Sequence, residues 1–148
     1  MTVAPARDTG ARRDAAIAAL LACAKIGASI ALVSWLGFRQ ISDDDYARTV
    51  IAESFARAPK LDPSGTSWLP FPFWTTGAAM MAFGRSLGVA RAVAYAASGV
   101  GAAVFFLALR RAGASRAMGA AATIVASVSS WNLPGSAPRP CRRASPVR

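Results

Sequence analysis

The chain has no histidine, seven acidic residues and two cysteines among its 148 residues. Without histidine, and with the cysteines far apart, the usual zinc ligand sets are excluded, although carboxylates could still hold a hard divalent cation. Cys23 falls in an apolar run and Cys141 in a proline- and arginine-rich tail, so two free thiols are expected rather than a bridge. Charge is sparse too: 16% of the residues are charged, against 54% hydrophobic. Long stretches lack the polar stripe that a helix on a soluble core would carry, which favours a bilayer over water as the solvent.

What charge there is runs one way, with 17 basic residues and a formal net charge of +10. Such a balance could neutralise nucleic-acid phosphates, but here the arginines bracket apolar segments, so no nucleic-acid partner is expected. The expected fold class is an all-α integral membrane protein with about three transmembrane helices and an interfacial helical loop between the first and second. Residues 1–14 read as a short polar leader with Arg7, Arg12 and Arg13. The run 15–38 is interrupted only by Lys25 and would extend roughly 36 Å, enough for a hydrocarbon core of about 30 Å. It exceeds the roughly 7 to 15 apolar residues of a signal peptide, so it reads as an anchoring helix. Lys25 is costly at that depth, and its expected solution is to reach the cytoplasmic headgroups.

Residues 39–87 form the loop. Its first half, to Leu69, carries four basic and five acidic residues, the one net acidic stretch of any length. Tyr46 to Ala58 places Val50, Ile51 and Phe55 among alanines, the pattern of an interfacial helix or of a small helix packed on the loop. Pro59 and Pro63 end it, and Leu61 to Thr66 reads as a turn. Ser67-Trp68-Leu69-Pro70-Phe71-Pro72-Phe73-Trp74 puts aromatic rings and prolines together, as at headgroup depth. The apolar run from Phe71 to Phe83 is too short for a crossing. Residues 88–109 and 117–133 are the second and third expected crossings, rich in the small residues that let helices approach closely. Arg110, Arg111 and Arg116 then lie on the same side as the basic leader. By the positive-inside rule that side is cytoplasmic and the loop 39–87 is outside, as in a multi-pass protein of the inner (plasma) membrane.

Asp43-Asp44-Asp45 directly follows the first expected crossing. Repulsion among adjacent carboxylates favours proton uptake, so one of them could take a proton from a hydroxyl. The same aspartates could simply cap the helix that follows.

The order of these features resembles the start of the polytopic GT-C glycosyltransferases, among them the lipid A aminoarabinose transferases and the protein O-mannosyltransferases. Asp43-Asp44-Asp45-Tyr46-Ala47-Arg48 stands where that family has an acidic pair followed by aromatic and basic residues. Ser67 to Trp74 stands where many members have a His-Pro-Pro-Leu phrase, here without its histidine, and Phe83-Gly84-Arg85-Ser86-Leu87 resembles the family's Phe-Gly turn. The resemblance covers roughly residues 15–133. It implies transfer of a sugar from a polyprenyl-phosphate donor to an extracytoplasmic acceptor, with Asp43 or Asp44 as catalytic base, Arg48 on the lipid phosphate and Trp68 on the sugar. Membrane lipid and the polyprenyl-phosphate sugar are the implied partners, and the cofactor is left open between none and a divalent cation.

Residues 134–148 change character to a proline- and arginine-rich stretch, read as a disordered basic tail or as sequence out of frame. On the family reading the chain would be an amino-terminal fragment, inactive by itself. The alternative is a small non-enzymatic helical membrane protein that forms homo- or hetero-oligomers through its alanine- and glycine-rich faces.

Overall fold

A computed structural model describes residues 7–35, 43–65 and 68–128. Among them lie five helices and no strand: α1 (Arg7–Ser34), α2 (Asp43–Arg57), α3 (Phe71–Phe83), α4 (Leu87–Arg111) and α5 (Arg116–Val128). The last residues of the first expected crossing, 36–38, residues 129–133 of the third apolar run, Cys141 and the tail 134–148 fall outside the described residues.

The helices α1 and α4 are 28 and 25 residues long, roughly 42 and 37 Å at helical rise, and both are apolar enough to cross a bilayer. The first begins at Arg7, eight residues before the apolar run, because Arg12, Arg13 and their alanine neighbours are good helix formers whatever their polarity. In the second, Ser86 caps the start by accepting from the Val89 amide at 3.3 Å, and the chain leaves α3 through Gly84 at φ 98°. The described part of α5 is 13 residues, roughly 20 Å, shorter than a crossing.

Helices α1, α4 and α5 form one three-helix layer. Asp14 meets both Arg110 and Arg116, while Lys25 meets Ser127, so α1 and α5 run parallel and α4 runs antiparallel to both. Small residues set the spacing. A Cβ on Gly99 would lie 2.7 Å from the Ile26 side chain and 3.3 Å from the Ala22 carbonyl, so α4 rests directly on α1 there. Phe106, fully buried, fills the angle between α4 and α5 beside Gly119.

The second unit is α2 packed on α3, joined to the first through the contact of α3 with α4. Here Gly77 is the close point: a Cβ would collide with the Phe55 ring and come within 2.9 Å of the Ala52 carbonyl. Ala52, Phe73 and Met80 are buried in this unit. The α3 helix occupies the 13-residue run from Phe71 to Phe83, with Pro70 at its N-cap and Pro72 in its first turn, where the missing amide costs nothing. Between α2 and α3 the Asp62 carboxylate accepts from the Ser64 hydroxyl and the Gly65 amide, at 3.1 and 3.0 Å, making a side-chain-stabilised turn with Gly65 at φ 63°. The Trp74 indole N–H donates to the Leu61 carbonyl at 3.1 Å and ties that turn to α3.

Candidate functional site

Two places bring a charged side chain against a side chain from elsewhere in the chain, and they lie at different parts of the fold. The first is the loop-side face of α2 and the segment entering α3. Asp43, Asp44 and Asp45 form the first turn of α2, where carboxylates suit the positive end of the helix dipole; their side chains lie outside the described part of the structure. One turn on, Arg48 sits on the same helix, and its guanidinium carbon is 5.6 Å from the centroid of the Trp68 ring. Residues twenty apart in sequence therefore meet in a cation–π contact, worth about 0.5–1 kcal/mol when exposed. Trp68 is half-buried and also stacks on Phe73, with centroids 6.0 Å apart and planes 20° from parallel.

This arrangement joins two of the four residues singled out by sequence, Arg48 and Trp68, and puts Arg48 on the helix that starts with the other two. It also gives the Trp68 ring two protein neighbours, so the ring holds a guanidinium in place as well as presenting an aromatic surface. Farther along α2, Arg57 pairs with Glu53 at 2.5 Å on the exposed face, an ordinary i,i+4 ion pair. Among the described residues no three Cys, Asp or Glu side chains gather as a metal site.

The second place is the opposite end of the three-helix layer, and sequence reasoning did not single it out. Asp14 on α1 accepts from the Arg110 Nε at 3.1 Å and from the Arg116 Nε at 2.6 Å, a carboxylate between two guanidiniums from α4 and α5. Arg110 also donates to the Ala114 carbonyl, and Arg116 to the Gly10 carbonyl at 3.3 Å. The signal for it was present: an acid at the end of a basic leader, directly before the apolar run, on the side of the chain where the arginines after residue 109 also had to lie. Charge-assisted bonds of this kind fix the ends of three helices at one level.

Lys25 has a third kind of environment. Its ammonium donates to the Ser127 carbonyl of α5 at 2.5 Å, a partner 102 residues away rather than the headgroups expected from sequence. The Ser29 hydroxyl donates to the Lys25 carbonyl at 2.9 Å, one turn along the same helix. Comparison with protein-family models, with curated proteins and with solved structures found no match to this chain.

Proposed function

We propose that this chain is a multi-pass helical protein of the plasma membrane whose loop-side face serves a glycosyltransferase reaction with a lipid-linked sugar donor. The membrane part of the reading is supported by where the apolar surface lies. Only 6% of the apolar stretch of Thr9–Ser34 and 17% of that of Leu87–Arg111 is buried inside the molecule. A core helix of a soluble protein would be mostly covered; here Leu20, Ile30, Val100, Val104 and Phe105 are exposed and need lipid or protein around them. The α1 helix also differs from a detachable leader in being tied to α4 and α5 through Asp14 and Lys25.

The observation that carries the chemical part is the convergence of Arg48 and Trp68 beside the helix that opens with Asp43-Asp44-Asp45. In this reading Asp43 or Asp44 takes the proton from an acceptor hydroxyl as the hydroxyl oxygen attacks the anomeric carbon. The bond from that carbon to the phosphate oxygen breaks, and the lipid phosphate leaves with the electron pair. Arg48, oriented by the Trp68 ring, pairs with the departing phosphate, for which a guanidinium is well matched. Trp68 presents its remaining surface to the sugar. The chain alone should release no polyprenyl phosphate from a lipid-linked sugar, so transfer is tested in membranes that hold a full-length transferase carrying this segment, by release of polyprenyl phosphate. Asp→Asn at the working position should lower transfer about 10²–10⁴-fold with membrane insertion intact. Full transfer in Asp43→Asn, Asp44→Asn and the double variant would leave those carboxylates a capping role only.

A further inference from the structure

At the end of the molecule away from that loop, α1 and α4 flank an open cavity of about 250 Å³ lined by Ala11, Asp14, Leu107, Arg110 and Arg111. Asp14 is already held by Arg110 and Arg116, and the cavity lining carries two guanidiniums, Arg110 and Arg111, against that one carboxylate, so the rim is net positive. Arg111 is exposed and makes no hydrogen bond or ion pair with another described residue. Below it, Val100, Val104 and Leu107 share one face of α4 with Arg111, at spacings of four, three and four residues. Val100 and Val104 are both exposed. The stripe from Val100 to Arg111 rises roughly 16 Å, close to half of a hydrocarbon core of about 30 Å.

We propose that this cavity and stripe form a binding site for one anionic phospholipid of the cytoplasmic leaflet, its phosphate on Arg111 and Arg110 and an acyl chain along Val100, Val104 and Leu107. The proposal rests on the reading of α1 and α4 as membrane helices, and it concerns the face opposite the sugar-transfer site. A soluble phosphate would use the rim alone; the apolar stripe, ending one leaflet below the arginine, fits a lipid. Asp14 does not oppose the phosphate, because its charge is met by two guanidiniums before any ligand arrives. Arg110 spends its Nε on Asp14 and one terminal nitrogen on the Ala114 carbonyl, and so contributes mainly charge, leaving Arg111 as the principal phosphate contact.

The test is native mass spectrometry of the full chain released from nanodiscs of phosphatidylcholine mixed with phosphatidylglycerol. The unaltered chain should retain phosphatidylglycerol in preference to phosphatidylcholine. Arg111→Ala should lower that retention about five-fold, the effect of one basic residue near an anionic surface. Lys60→Ala, which removes the same charge from the loop between α2 and α3, should leave it unchanged, as should an excess of inorganic phosphate. Equal retention of the two lipids, or equal losses in the two variants, would overturn the proposal, as would displacement by inorganic phosphate. Failure of the chain to enter either nanodisc would overturn the membrane reading with it; entry without lipid preference would overturn the site alone.

Discussion

Lys25 and Asp14 show how single charges are accommodated in an apolar chain. Lys25 lies near the middle of the apolar part of α1, where an ammonium without a partner is strongly disfavoured, and the Ser127 carbonyl supplies one. Lys25→Met should therefore insert at least as well as the unaltered chain, since it removes the charge. It should also free α5 at that end. Hydrogen exchange in detergent micelles should show faster exchange through the C-terminal half of α5 in the variant; unchanged protection would mean that the ammonium does not hold α5. Asp14→Asn keeps the shape of the side chain but removes the charge that joins Arg110 to Arg116. It should lower the thermal stability of the micelle-bound protein, and Asp14→Glu should recover part of the loss. Neither contact was legible from sequence, because their partners lie 96 and 102 residues away and hydropathy says nothing of pairing.

Element boundaries were more legible, because they follow from local chemistry. Pro70 and Pro72 start α3 and Gly84 ends it, so the 13-residue run read from sequence is the helix found. The second apolar run, 88–109, became α4 over Leu87–Arg111, and Ser86 supplies its cap. The first helix extends beyond the apolar run into the polar leader; Arg7–Asp14 belongs to it because propensity, not hydropathy, governs the backbone there. For the loop site, the sequence puts the aspartates just before the helix that carries Arg48, and α2 takes them into its first turn; the contact of Arg48 with Trp68 depends on how α2 packs against α3. That packing turns on Gly77. Gly77→Ala would press on the Phe55 ring and the Ala52 carbonyl, and backbone there cannot move aside cheaply. The substitution should destabilise the α2–α3 unit by about 1–3 kcal/mol, as overpacking does. Its signature would be selective loss of protection in α2 with α1 and α4 unaffected; a stability equal to the unaltered chain would show that the two helices do not meet at Gly77.

On the scale of the whole molecule, the proposed function requires one arrangement: α1 and α4 crossing a bilayer antiparallel, with the Asp14, Arg110 and Arg116 end inside and the loop carrying Arg48 and Trp68 outside. The antiparallel packing and the shared level of Asp14 with Arg110 and Arg116 put the basic residues at one end, as the positive-inside rule requires of a cytoplasmic face. Both the sugar-transfer reading and the lipid site need that geometry, the first at the outer face and the second at the inner. The most direct measurement is therefore labelling with a membrane-impermeant thiol reagent in intact cells, with Cys23 and Cys141 replaced and one new cysteine placed at a time. Lys60→Cys, exposed in the loop between α2 and α3, should label in intact cells, and Ala112→Cys, exposed between α4 and α5, only after lysis. The reverse pattern would invert the topology and remove the outer-face reaction, and equal labelling of both positions in intact cells would contradict the crossing itself.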